Sequence, residues 1–167
     1  MEFARIYLIG FMGAGKTTVG RLLAKNLGWK FIDLDKEIER RENRSITGIF
    51  RENGETHFRN LERKYLQELV STERTVIAFG GGTFIDPQNR ALAEKTGLTV
   101  WLKVSFAKVA DRVKIDGTRP KFGDRHQAER LYQTRQPYYA FAKIHISTDE
   151  GTPESVAKEI MGAIPKS

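Results

Sequence analysis

The sequence predicts an α/β protein whose parallel sheet is covered by helices on both faces. Short apolar runs alternate with stretches of helical periodicity along the whole chain. The first apolar run, Arg5 to Ile9, leads straight into Gly10-Phe11-Met12-Gly13-Ala14-Gly15-Lys16-Thr17 and then into an amphipathic helix, the strand–loop–helix order of a nucleotide-phosphate loop. The chain's paired carboxylates and its triple glycine likewise stand at the ends of apolar runs.

Taken in order, Arg5 to Ile9 is a buried strand and Lys16 to Leu27 a helix stopped by Gly28, which supplies the left-handed residue a helix end needs. Phe31-Ile32-Asp33-Leu34-Asp35 reads as a second strand running into a charged helix, Lys36 to Glu42. Two further helices are predicted at Ile46 to Phe50 and at Phe58 to Val70, the latter apolar at Leu61, Tyr65, Leu66, Leu69 and Val70. Thr75 to Phe79 is a third strand ending on Gly80-Gly81-Gly82, and Asp86-Pro87 opens a helix with an N-cap acid and a proline at its first position. Leu98 to Leu102 is the fourth strand and Phe106 to Val113 the helix after it. The stretch from Lys114 to Asp124 holds Gly117, Pro120 and Gly123, has no periodicity and is expected to be a mobile loop. Arg125 to Ala142 is a helix distorted near Pro137, Ile144 to Ile146 the fifth strand, and Thr152-Pro153 caps a last helix reaching about Ile164.

With 167 residues the chain forms one domain, long enough to bury about two-thirds of its unfolded surface without staples. It has no cysteine, which excludes disulfides, thiolate metal sites and a cysteine nucleophile. Its N-terminal residues lack the pattern of a secretory leader and no apolar run approaches eighteen residues, so a cytoplasmic protein without membrane contact is expected. The excess of 28 Lys and Arg over 21 Asp and Glu, a net charge of +7, suits either nucleic acid or small anions. Seven basic residues against four acids fall between Asp111 and Arg135, with no uninterrupted basic block, which favours a flap closing over phosphates and no nucleic-acid partner.

Read as a phosphate loop rather than as a plain Gly-rich turn between strand and helix, the segment is expected to turn the backbone N–H groups of Gly13, Ala14 and Gly15 around an anion, with Lys16 reaching the β- and γ-phosphates and the Thr17 hydroxyl as a ligand of Mg²⁺, which prefers hard oxygen donors. Thr18 belongs to the same helix N-terminus. Asp33 and Asp35, two apart in an extended segment, project to one side, where Mg²⁺ and Lys16 would offset their repulsion; the alternative is that they open the next helix as N-cap and first-turn acid. The glycines at 80–82 are either a flexible turn or a place where a substrate approaches the backbone. The residues alone favour a solvated helix arginine at Arg59, with Phe58 and Leu61 as core, and the same for Arg135. His57, His126 and His145 show no metal-ligand spacing.

Taken together, the phosphate loop, Phe31-Ile32-Asp33-Leu34-Asp35, the Gly54-Glu55…Phe58-Arg59…Glu62 block, Gly80-Gly81-Gly82, Arg119-Pro120 and Arg135…Pro137-Tyr138 resemble the shikimate kinase family in order and approximate spacing, from about Ile6 to the last helix. The resemblance implies a three-layer fold like that of nucleoside monophosphate kinases, with a five-stranded parallel sheet, a substrate-binding helical subdomain at about 33–61 and a lid at about 112–124. It implies ATP-dependent phosphorylation of the 3-hydroxyl of shikimate, with Mg²⁺, by a monomer. Arg59 and Arg135 would grip the shikimate carboxylate, and Asp35 would hold the ring hydroxyls and take a proton. Asp33 would hold Mg²⁺ with Thr17. Gly80, Gly81 and Gly82 would supply backbone contacts, and Phe50, Phe58 and Glu62 would shape the pocket. Arg119 would act as the lid arginine on the transferring phosphate, alongside Lys16, while Arg112 would lie against adenine. The chain departs from the family at Lys121-Phe122, where two leucines are frequent; Phe122 keeps the apolar bulk and Lys121 adds a charge. A kinase of another small acid such as gluconate fits the arginines as well, but the Asp35 and triple-glycine set favours shikimate. A nucleotide-binding regulatory module has no use for the proton acceptor.

Overall fold

The computed structural model describes residues 3–112 and 124–165. Five parallel strands, β1 (Arg5–Ile9), β2 (Lys30–Asp33), β3 (Thr75–Ala78), β4 (Leu98–Lys103) and β5 (Ile144–Ser147), lie side by side in the order β2-β3-β1-β4-β5. The centre is β1, where Ile6, Tyr7, Leu8 and Ile9 have no exposed surface, as befits a strand buried on both faces. Its register pairs Tyr7 with Ile77 of β3 and with Thr99 of β4. After β3 the chain crosses to the far side of β1, and ligands in open α/β sheets collect at the carboxyl ends beside such a reversal.

Seven helices are seen among the described residues: α1 (Lys16–Leu27), α2 (Leu34–Glu42), α3 (Ile46–Leu69), α4 (Pro87–Thr96), α5 (Phe106–Arg112), α6 (Arg125–Tyr139) and α7 (Pro153–Ala163). They complete a three-layer α/β fold in which α1 packs on α7 and β3, and α3 on α2 and α4. At Gly20 of α1 an added Cβ would meet the Phe31 ring at 2.4 Å, so a side chain there would hold α1 off β2. Gly28 ends α1 in the left-handed conformation (φ 69°, ψ 32°), as its sequence predicts. Asp86 and Thr152 cap α4 and α7 through their side chains, each before a proline. No helix among the described residues is long and apolar enough to cross a membrane.

Three elements differ from expectation. β2 stops at Asp33, because that carboxylate turns to accept the backbone N–H of Lys36 at 3.2 Å and caps α2, which therefore begins at Leu34. Asp33 and Asp35 are thus N-cap and first-turn acid, and strand alternation does not set their directions. The two helices predicted at Ile46 to Phe50 and Phe58 to Val70 are arms of one element, α3, broken at Gly54 (φ 84°, ψ 173°), a conformation that a residue with a Cβ resists. α6 runs through Pro137 but stops at Tyr139, where tighter bonds from Phe141 N–H to Tyr138 and from Ala142 N–H to Tyr139 wind up its end. Most of the stretch expected to form a lid, including Arg119, Pro120, Lys121 and Phe122, lies outside the described residues.

Candidate functional site

The carboxyl ends of β1, β2 and β3 open into a cavity of about 570 Å³, lined on one side by Met12 to Thr18 and on the other by α2, α3, the glycines after β3, and Arg135 of α6. The loop after β1 turns back on itself through a bond from Ala14 N–H to Phe11 O at 3.1 Å. Gly13 (φ 83°) and Gly15 (φ 88°) take left-handed conformations within it. Gly15 caps α1 without any side-chain acceptor, so the helix's first N–H groups face the cavity mouth as donors for an anion. Lys16 Nζ donates to the carbonyls of Gly10 and Phe11. Thr17 Oγ1 donates to Asp33 Oδ2 at 2.7 Å, which couples the first residues of α1 to the cap of α2. The two form a pair of hard oxygens in the cavity that Lys16 also lines, a donor set that suits Mg²⁺ completed by phosphate oxygens and water. No group of three or more His, Asp or Glu side chains among the described residues could hold a metal ion by itself.

Asp35 stands on the cavity floor, its Oδ1 shielded from solvent and without a hydrogen-bond partner. Burial pushes its carboxyl up to about 6, Glu62 and Asp33 push the same way, and Lys16 and Arg59 oppose them. An enclosed acceptor with no protein donor is the place for a ligand hydroxyl.

The glycines explain the site's compactness. A Cβ on Gly80 would lie 2.6 Å from Asp35 Oδ1, one on Gly81 2.7 Å from Arg135 Nη1, and one on Gly82 2.5 Å from both terminal nitrogens of Arg59. Each glycine makes room for one charged group from a different helix, so the triplet does more than offer backbone to a substrate. The solvated-arginine alternative fails for both arginines. Arg135 is 7% exposed, and Arg59 is held by Glu62 at 2.6 Å and by Glu55 at 3.5 Å. Burial pulls the Arg59 guanidinium down, but Glu62 and Glu55 outweigh it and leave its pKa above the ordinary value. Burial raises the Tyr139 phenol to about 12, so it stays a donor; it bonds Gly81 O at 2.6 Å and touches Arg135. Phe50 and Phe58, from the two arms of α3, face each other at 5.0 Å and wall the cavity.

Of the residues singled out in the sequence, Gly13, Ala14, Gly15, Lys16, Thr17, Thr18, Asp33, Asp35, Phe50, Phe58, Arg59, Glu62, Gly80, Gly81, Gly82 and Arg135 meet in this one cavity. Arg112 does not line it; its guanidinium joins the phosphate loop to the segment after β5, donating to Gly13 O at 3.1 Å and Thr148 O at 3.0 Å. Lining residues that sequence reasoning missed include Lys36, Glu39, Ile46, Thr47 and Phe79. Glu39 carries no local sequence mark: its carboxylate accepts Ile46 N–H at 2.9 Å across the turn between α2 and α3, a contact that exists only once the two helices have packed.

Residues 12–165 match the family model described as shikimate kinase. A shikimate kinase of Persephonella marina is 41% identical over 95% of this chain and 98% of its own length, and one of a Sulfurihydrogenibium species is 42% identical over 96% and 98%. Among solved structures, a shikimate kinase from Acinetobacter baumannii in complex with shikimate superimposes with a TM-score of 0.92 at 37% identity, covering 97% of this chain and 93% of that one. The enzyme from Aquifex aeolicus gives 0.84 at 36% identity, covering 95% and 94%. A cavity joining a phosphate loop to a buried carboxylate and two guanidiniums, together with likeness along nearly the whole of each chain, leads to one conclusion: this chain belongs to the shikimate kinase family.

Proposed function

We propose that this protein transfers the γ-phosphoryl group of ATP to the 3-hydroxyl of shikimate, giving shikimate 3-phosphate and ADP on the route to chorismate and the aromatic amino acids. The observation that carries the reading is the unpartnered Asp35 Oδ1, enclosed between a phosphate loop and two arginines in one cavity. Those groups answer the three parts of the reaction: an anionic donor, a hydroxyl acceptor and a carboxylate handle.

ATP enters with its phosphates against the N-terminus of α1, held by the N–H groups of Gly13 to Thr18 and by Lys16. Thr17 and Asp33 would hold Mg²⁺, which would neutralise phosphate charge there. Shikimate lies between the arms of α3 and the triple glycine, its carboxylate in the forks of Arg59 and Arg135. Its reacting hydroxyl donates to Asp35, whose carboxylate is ionised at neutral pH yet more basic than a solvated one. As the hydroxyl oxygen attacks the γ-phosphorus and ADP departs, the hydroxyl proton passes to Asp35. Catalysis comes mainly from holding these groups in line, because phosphoryl transfer needs little covalent help from protein.

Residues 33–61 act as the substrate-binding subdomain and 112–124 as the lid, which excludes water as a competing acceptor. Arg119 supplies positive charge to the transferring group and Arg112 borders the adenine. The protein acts as a cytoplasmic monomer on two small substrates, without nucleic acid or membrane; the reading is supported by a single cavity in which the phosphate loop, Asp35 and both arginines already meet. ADP release measured with ATP alone, with ATP plus shikimate and with ATP plus gluconate tests the reading. Shikimate alone stimulates release if it is right, whereas stimulation by gluconate or by neither acid rejects it.

A further inference from the structure

We infer that Thr83 is a positioning residue for substrate binding, acting through Glu62 to set the guanidinium of Arg59. The inference rests on the reading that Arg59 holds the substrate carboxylate. Thr83 is the first residue after the triple glycine, and both it and Glu62 are completely buried. Its Oγ1 donates to Glu62 Oε2 at 2.5 Å, while the other oxygen of the same carboxylate, Oε1, accepts from Arg59 Nη1 at 2.6 Å. The carboxylate is thereby pinned at both ends: one oxygen on a hydroxyl, the other on the guanidinium.

The hydroxyl itself is fixed. Thr83 N–H bonds Gly80 O at 3.2 Å, and Thr83 O accepts from Asn89 Nδ2 of α4 at 3.1 Å, with Asn89 also buried. The chain of contacts therefore runs from α4 through Thr83 and Glu62 to Arg59, which lines the cavity beside Glu62. Without the hydroxyl, Glu62 loses the donor that fixes its rotation and Arg59 loses a rigid counter-ion. The guanidinium already sits against Gly82, so its placement depends on small rotations. A buried threonine that only packed would need no donor geometry, and valine would replace it.

The test compares Thr83→Val, Thr83→Ser, Arg59→Lys and the Thr83→Val/Arg59→Lys double variant by steady-state ADP release, with folding followed by thermal melting. Thr83→Val raises the KM for shikimate about tenfold, the equivalent of one charged hydrogen bond weakened by misplacement. KM for ATP and kcat stay within about twofold, and Thr83→Ser restores the wild-type KM. In the Arg59→Lys background Thr83→Val adds little, because both changes act through one guanidinium. A wild-type KM for shikimate in Thr83→Val, failure of serine to rescue, or full additivity in the double variant overturns the inference. Should Thr83→Val fold poorly, Thr83→Ala takes its place in the KM and additivity measurements, with serine again as the rescue, and the same outcomes support or overturn it. If Arg59→Lys itself leaves the KM for shikimate unchanged, the underlying assignment of Arg59 is what fails.

Discussion

Gly82→Ala isolates the contribution of Arg59. Gly82 has φ −101° and ψ −8°, a conformation open to alanine, so the backbone is not strained. The added methyl would lie 2.5 Å from both terminal nitrogens of Arg59 and 2.7 Å from its Cζ. Unstrained contacts begin near 3.5 Å, so the guanidinium must withdraw by about 1 Å. That displacement takes the 2.6 Å bond to Glu62 beyond hydrogen-bond range and carries the fork away from the substrate. Losing one charge-assisted bond to the carboxylate costs about 1.5–3 kcal/mol, or a rise of about 10- to 150-fold in the KM for shikimate. Stability should fall as well, because the fully buried Glu62 carboxylate loses its bond to Arg59 and keeps only the one from Thr83. Initial rates of ADP release at saturating ATP and Mg²⁺, with shikimate varied, measure the effect, and a thermal melt confirms the fold. A folded variant whose KM for shikimate stays within twofold of wild type refutes the reasoning, since Arg59 would then not grip the substrate where the structure holds it.

Asp35→Asn should lower kcat by about 10² to 10⁴, the usual contribution of a positioned base, and wild-type activity should fall as pH drops below about 6, where Asp35 takes up its proton. The same variant should melt several degrees above wild type at pH 7.5. The folded state keeps this proton up to about pH 6 while an unfolded aspartate releases it near 3.8, so ionised Asp35 subtracts on the order of 3 kcal/mol above pH 6. The melting gap should shrink as pH falls from 6 toward 4, and a pH-independent gap contradicts the burial argument. Asp33→Asn keeps an α2 cap of equal quality but removes a charge, so the melting temperature should hold while half-maximal activity needs about tenfold more Mg²⁺; an unchanged Mg²⁺ titration removes Asp33 from the metal site. Arg135→Lys should raise the KM for shikimate and leave that for ATP alone, because an ammonium lacks the guanidinium fork. A rise for ATP instead would place Arg135 on the wrong substrate.

The phosphate loop and the helix punctuation are legible because they rest on local chemistry. Gly28, Asp86-Pro87 and Thr152-Pro153 mark helix ends by backbone preference and short-range capping, whatever the rest of the chain does. The break between Asp33 and Leu34 is harder to read, since strand extension and N-capping compete at one aspartate and the bond to Lys36 N–H decides. α3 reads as two helices because Gly54 interrupts the pattern, although the backbone resumes its winding on either side.

The arginines mark the limit of local reading. Arg59 and Arg135 stand 76 positions apart in helices of mixed polarity, where periodicity cannot separate a solvated charge from a buried one. What separates them is clearance: Gly81 and Gly82 leave the space that two guanidiniums occupy, and Gly80 leaves room for Asp35. By itself the sequence determined that a nucleotide loop would follow the first strand, that the sheet would be parallel and that the chemistry would gather at its carboxyl edge. Tertiary structure alone decided that Thr83, Glu62 and Arg59 form one chain of contacts, that Asp35 Oδ1 lacks a partner and that Arg112 is tied to Gly13 of the loop. Hydrogen-bond reach and steric clearance between distant segments are fixed only when the helices have packed, whereas turns and caps are settled within a few residues.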